Sequence, residues 1–100
     1  MTKVRWTRAA QRQLREIVGY IARDSPRAAA ELASRIKGLS EKIADQPLAG
    51  QIVPEIGDPV IRERRAGPYR VIYSLAVSSP KILAVYHRRR LLSVPPADEL

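Results

Sequence analysis

From Arg8 to Ala22 the apolar residues Ala10, Leu14, Ile17, Val18 and Ile21 recur at steps of four, three, one and three. That is the stripe one face of an amphipathic helix presents to a core, with Arg8, Arg12, Arg15, Glu16 and Arg23 on the remaining surface. Thr7 stands where a hydroxyl can cap this helix. Asp24-Ser25-Pro26 interrupts the pattern and restarts it, because a capping Asp or Ser is followed by a proline suited to the first helical position. Beyond it Ala29, Leu32, Ile36, Leu39 and Ile43 repeat at 3-4-3-4, a narrower seam that predicts a second helix ending before Pro47. Two helices joined by so short a turn fold back as an antiparallel hairpin.

Elsewhere the pattern has period two. Residues 3–6, Lys3-Val4-Arg5-Trp6, alternate polar and apolar and read as a short first strand. Residues 46–59 carry Pro47, Gly50, Pro54, Gly57 and Pro59 and read as one long loop. Loops of that length are often functional, but Ile52, Val53 and Ile56 favour a loop pinned across the core. Three further strands are predicted over 60–65, 69–77 and 81–87, separated by Ala66-Gly67-Pro68 and Ser78-Ser79-Pro80, and they form an antiparallel meander. Along the middle one Tyr69, Val71, Tyr73, Leu75 and Val77 share a face, while Arg70, Ile72, Ser74 and Ala76 share the other. Both faces hold apolar residues, which marks a central strand. The expected architecture is α+β, one domain over 1–100 in the order β-α-α-β-β-β. The last ten residues are expected to form a frayed tail, in which Leu91, Leu92 and Val94 lack an assigned role.

Composition narrows the function classes. The chain has 100 residues, 18 Lys plus Arg against 10 Asp plus Glu, one histidine and no cysteine. Without cysteine there is no disulfide framework, thiolate metal site or cysteine nucleophile, and a lone histidine makes a His-based metal cluster implausible. No cofactor is expected. No apolar run approaches the roughly 18 to 20 residues that span a bilayer. Residues 1–6 are polar with no apolar stretch behind them, so a cytoplasmic protein without a secretory signal is the expectation. The net charge of +8, with Arg outnumbering Lys fourteen to four, favours acidic or polyanionic partners. Charge alone leaves nucleic acid and acidic protein both open.

Several short stretches carry a resemblance. They are Val4-Arg5-Trp6-Thr7, Ile21-Ala22-Arg23-Asp24-Ser25-Pro26, Pro47-Leu48-Ala49-Gly50, Val53-Pro54-Glu55, Ile61-Arg62-Glu63, Gly67-Pro68-Tyr69-Arg70-Val71-Ile72-Tyr73 and Val85-Tyr86-His87-Arg88-Arg89-Arg90. In this order, the chain resembles the RelE/ParE superfamily of toxins from bacterial type II toxin-antitoxin pairs. The resemblance covers nearly the whole chain. It implies a two-helix hairpin packed on one face of a small, twisted, mostly antiparallel sheet. RelE-like members cut messenger RNA in the ribosomal decoding site, ParE-like members act on DNA gyrase, and both are silenced by an antitoxin whose C-terminal segment wraps the toxin.

The two activities ask for different residues. Metal-independent RNA cleavage needs a base for the 2′-hydroxyl, an acid for the leaving oxygen and fixed positive charge for the phosphate. The meander offers Arg70, which matches the strand arginine of ribonuclease members, together with His87 and the neighbouring Arg62, Arg64 and Arg65. However, Pro54 and Glu55 stand where some RelE-like enzymes place lysines, and the tail has no tyrosine. Tyr86-His87-Arg88-Arg89-Arg90 is similar to the last-strand ending of ParE-like members. A gyrase-directed toxin that acts by binding is therefore the leading expectation, and a ribosome-dependent mRNA endoribonuclease using Arg70 and His87 is the alternative. Arg62, Arg64, Arg65, Arg70, His87, Arg88, Arg89, Arg90, Leu91 and Leu92 are the expected contacts for target or antitoxin. The antitoxin is expected to be small, acidic and ParD-like or RelB-like.

Structural roles compete for the same residues. Arg70 is equally suited to an ion pair with Glu63 or Glu55, His87 to a satisfied strand end, and the run from Arg88 to Arg90 to a solvated edge. Trp6 and Tyr73 read as core aromatics; Tyr20 and Tyr69 as core edge or partner contacts.

Overall fold

The computed structural model describes residues 3–89. Helix α1 spans Arg8–Ala22 and α2 spans Pro26–Asp45, both as the periodicity predicts. Thr7 and Ser25 cap them: the Thr7 hydroxyl accepts from the Ala10 N–H at 3.0 Å and the Ser25 hydroxyl from the Ala28 N–H at 3.1 Å. Each satisfies one of the amide donors that a helix start leaves without an intrahelical partner. Of the two candidate caps between the helices, Ser25 is the one used. Pro26 follows it in the first turn, where its fixed φ suits the helix and its missing N–H costs nothing.

Among the described residues five strands form one sheet. They are β1 (Arg5–Trp6), β2 (Gln51–Ile52), β3 (Ile61–Ala66), β4 (Tyr69–Ser74) and β5 (Lys81–His87), in the spatial order β1-β5-β4-β3-β2. Only β1 runs parallel to its neighbour; the other three pairings are antiparallel. The β3–β4 hairpin closes through Gly67 and Pro68, where Gly67 adopts a φ of +58° open to glycine at little cost.

The first strand begins at Arg5 rather than Lys3, and the first meander strand is shifted by one residue to Ile61–Ala66. There are two larger departures from the sequence reading. The stretch expected as one loop over 46–59 contains a 3₁₀ turn at Pro47–Ala49 and then β2, so the sheet gains an edge strand. Two residues are too few for period-two alternation to register in the sequence. The middle strand stops at Ser74 rather than Val77. Its Ser74 hydroxyl accepts from the Ala76 N–H at 3.1 Å, a local turn that competes with the ladder, and Val77 is exposed.

Both faces of the sheet are covered. On one, the α2 seam of Leu32, Ile36, Leu39 and Ile43 packs with Ala10 of α1 against Val71, Tyr73, Ile82 and Val85. Each fully buried aliphatic side chain there contributes about 1.5–3 kcal/mol. On the other, Val53 of the 53–59 loop meets Ile61, Ile72, Leu83 and Ala84, with Ile56 and Tyr86 at the margin. The loop is thus pinned by Val53 and Ile56, while Ile52 stays 41% exposed. Trp6 is half-buried and its indole N–H donates to the Ser40 hydroxyl at 3.2 Å; Tyr73 is fully buried and Tyr20 is exposed. No helix among the described residues is long and apolar enough to cross a membrane.

Candidate functional site

Strand register decides which of the candidate residues can act together. Arg62 and Arg64 lie opposite Tyr73 and Val71, and His87 lies opposite Tyr69, so these three belong to the face that the helices cover. Arg65 lies opposite Arg70, whose other neighbour is Tyr86, and these belong to the face covered by the 53–59 loop. The sequence reading brought Arg70 and His87 into mutual reach. They stand instead on opposite sides of the sheet, because side chains alternate along a strand and the two occupy successive register pairs.

Arg70 is interior. Its Nε donates to Glu63 Oε1 at 2.7 Å, its Nη1 to Glu55 Oε2 at 2.6 Å, and its Nη2 to Glu55 Oε1 at 2.8 Å and Glu63 Oε2 at 3.2 Å. Its side chain is 4% exposed. The guanidinium pKa is raised, first by the hydrogen bonds to Glu55 and then by those to Glu63, against the opposing effect of burial. The ion pair expected with Glu63 or Glu55 is made with both. Arg70 therefore ties β4 to β3 and to the 53–59 loop, and its fork faces carboxylates rather than an open surface that a phosphate could reach.

Arg62 is likewise engaged in the fold. Its Nε donates to the Pro59 carbonyl at 2.7 Å, and its Nη1 reaches the carbonyls of Gly50 at 3.1 Å and Leu48 at 3.5 Å. Tyr73 completes this anchorage by donating to the Pro47 carbonyl at 2.7 Å and accepting from the Gly50 N–H at 3.1 Å. Burial pushes the Tyr73 phenol pKa up.

The remaining candidates are partly or fully exposed. Arg64 is half-buried, and its Nη1 is buried with no hydrogen-bond partner among the described residues. Arg65, Arg88 and Arg89 are exposed, with the Arg88 N–H held by the Pro68 carbonyl at 2.7 Å. His87 is exposed and stands edge-on to the Tyr69 ring, with centroids 5.6 Å apart, while its Nδ1 accepts from the Arg89 N–H at 3.2 Å. Arg90, Leu91 and Leu92 lie outside the described residues.

Two concave surfaces adjoin these groups. Because β2 pairs only with Arg62 and Glu63, no strand among the described residues covers the outer edge of 64–66. A polar recess of about 440 Å³ opens there beside Gln51, Arg64 and Arg65. On the helix side a groove of about 860 Å³ runs between α2 and the β3–β4 turn, lined by Ile21, Arg27, Leu32, Arg35, Pro68 and Tyr69 among others. Arg27 and Arg35 are not among the contacts expected from the sequence. Their only linear signal is a spacing of eight on α2, and Arg27 pairs with Glu31 at 3.4 Å on an exposed helix face, an ordinary surface pair. No group of three or more metal-ligating side chains gathers among the described residues.

An arginine-rich sheet with a helical hairpin on one face is a known arrangement. A chain of the chromosomal ParDE toxin-antitoxin system from P. aeruginosa superposes with a TM-score of 0.70 at 20% identity, covering 87% of this chain and 96% of that one. A chain of the toxin-antitoxin complex RelBE2 from Mycobacterium tuberculosis gives a TM-score of 0.57 at 24% identity, covering 87% and 98%. These likenesses establish the fold. In sequence, the Sinorhizobium fredii protein Y4kP, which carries a provisional toxin name, is 41% identical over 49 residues. That match takes in 49% of this chain and 51% of the relative, so the chain spans about half the length of the curated relative it matches. The family model described as "ParE toxin of type II toxin-antitoxin system, parDE" matches residues 4–92, and the chain belongs to that family.

Proposed function

We propose that this chain inhibits growth by binding DNA gyrase, without chemistry of its own, and that a tightly bound, small acidic antitoxin neutralises it. Membership of the ParE family over residues 4–92 supports the target. The observation that carries the choice over RNA cleavage is the division of Arg70 from His87. With Arg70 held between Glu55 and Glu63 on one face and His87 exposed on the other, the two groups offer no common surface to a single phosphodiester. General acid-base cleavage needs its groups within hydrogen-bond reach of the same reacting centre.

The antitoxin reading rests on the two concave surfaces. An open strand edge and an adjoining apolar groove suit the two commonest ways a disordered segment docks, by adding a strand and by laying down an amphipathic helix. Arg64 and Arg65 at the edge, and Arg88 and Arg89 at the end of β5, supply the charge that acidic side chains would meet.

The target is tested by brief expression without the antitoxin, followed by primer extension on a reporter transcript and a supercoiling assay with purified gyrase. Altered DNA topology with intact message is expected. Codon-phased cleavage with normal supercoiling, lost in His87→Ala, would replace this reading with the ribonuclease one.

A further inference from the structure

We propose that the rim where β1, the start of α1 and β5 meet is a separate binding surface, which grips the phosphate backbone of a nucleic acid. A recess of about 430 Å³ opens there, lined by Arg5, Arg8, Arg12 and Lys81 with no carboxylate among the lining residues. Arg5, Arg8 and Arg12 are exposed, and none of the three makes an ion pair among the described residues. Arg8, Arg12 and Arg15 stand at i, i+4 and i+7, a line of guanidinium groups along one side of α1 with axial steps of about 6 and 4.5 Å.

The fold gains nothing from this arrangement. Helix α1 has no acidic residue in its first turn and carries Arg8 there instead, against the distribution that a helix macrodipole favours at that end. Arg8 and Arg12 also repel one another as like charges one turn apart. Arg62 and Arg70, by contrast, are spent on carbonyls and carboxylates inside the structure. Three arginines that break local rules and make no ion pair among the described residues point to something outside the fold that supplies the counter-charge.

The chemistry of the surface selects the class of partner. Protein interfaces centre on apolar side chains, and none of the exposed large apolar residues of the described chain (Tyr20, Leu48, Ile52, Val60 and Val77) lines this recess; its one aromatic, Trp6, is half-buried with its indole N–H held by Ser40. A phosphodiester backbone needs no apolar anchor, only guanidinium forks and positive charge in a row. The rim also lies at the β1 edge of the sheet, across β5, β4 and β3 from β2 and its recess. Its occupant need not compete with a segment docked there, and the inference stands whether or not gyrase is the target.

The test uses the purified chain and fluorescence anisotropy with a labelled duplex DNA and a labelled RNA strand of equal length, each titrated between about 50 and 200 mM salt. The variant carrying Arg5→Gln, Arg8→Gln and Arg12→Gln should flatten the slope of log affinity against log salt on duplex DNA by about 2–3, near 0.9 for each phosphate that is no longer neutralised, and weaken binding at least tenfold at low salt. Its thermal midpoint should hold or rise, because repulsion is removed. Arg88→Gln with Arg89→Gln should leave the slope where it was. A shift confined to duplex or to RNA identifies which backbone fits. A slope unchanged on both nucleic acids in the triple variant would overturn the proposal, as would equal losses from both variants.

Discussion

Arg70 joins three segments through one guanidinium: its own strand β4, β3 through Glu63 and the 53–59 loop through Glu55. Removing it with Arg70→Met leaves two carboxylates in a mostly buried place with their shared counter-charge gone. We expect a loss of about 3–5 kcal/mol, read as a lower urea midpoint. Arg70→Lys keeps the charge but not the planar fork, so it should recover only part of that loss. A stability within about 1 kcal/mol of the parent for Arg70→Met would show that the triad is dispensable. Tyr73 carries the second residue-scale prediction. Burial raises its phenol pKa, so the folded state holds the proton at a pH where the unfolded chain, with an ordinary pKa of about 10, has released it. The unfolded state then binds fewer protons, and stability must fall with rising pH. This contribution is whole below about pH 10 and disappears as pH climbs through the folded value. Tyr73→Phe should lose about 1–3 kcal/mol at neutral pH, because the Gly50 N–H and Pro47 carbonyl lose their partner, and should show a shallower alkaline decline. An alkaline slope equal to that of the parent protein would assign the titration to another group.

Among the elements, the 47–52 segment depends most on close approach. Its 3₁₀ turn and β2 are too short to hold themselves, and they are anchored by Arg62 and Tyr73 from neighbouring strands. Gly50 permits this. A Cβ built there would lie 2.9 Å from the Glu63 carbonyl oxygen and run into the Tyr73 hydroxyl, while its own φ of −73° suits any residue. The requirement is space rather than backbone freedom. Gly50→Ala should therefore destabilise by about 1–3 kcal/mol through displaced backbone and side chain. Hydrogen exchange should quicken at Val53, whose N–H donates to the Ile61 carbonyl at 3.1 Å, and leave the α2 amides protected. Uniform loss of protection in α2 would show instead that the segment and the helices form one cooperative unit.

For the whole molecule, the decisive quantity is where its charge of +8 is available. Arg62 and Arg70 are engaged inside, whereas Arg64, Arg65, Arg88 and Arg89 remain near the proposed antitoxin surfaces and Arg5, Arg8 and Arg12 sit at the far edge. Antitoxin association should slow as salt is raised while dissociation changes little, because screening removes steering before it touches short-range interactions. Stopped-flow rates that ignore salt would count against acidic recognition. Both helices, the position of the α2 seam in the core, the bounds of β5 and the central place of β4 were legible in the sequence, and so was a carboxylate partner for Arg70. These features depend on periodicity between near neighbours or on the residue's own chemistry, and consecutive residues suffice to express them. What the linear chain could not display was which face each arginine occupies relative to its neighbours. That was decided by strand register and by a loop that carries Glu55 across the sheet to Arg70. The sequence by itself determined both helices and the order of the longer strands, the family and the excess of positive charge. Only the tertiary structure divided that charge between fold and surface, because ion pairs form between residues brought together by pairing and packing, whatever their distance along the chain.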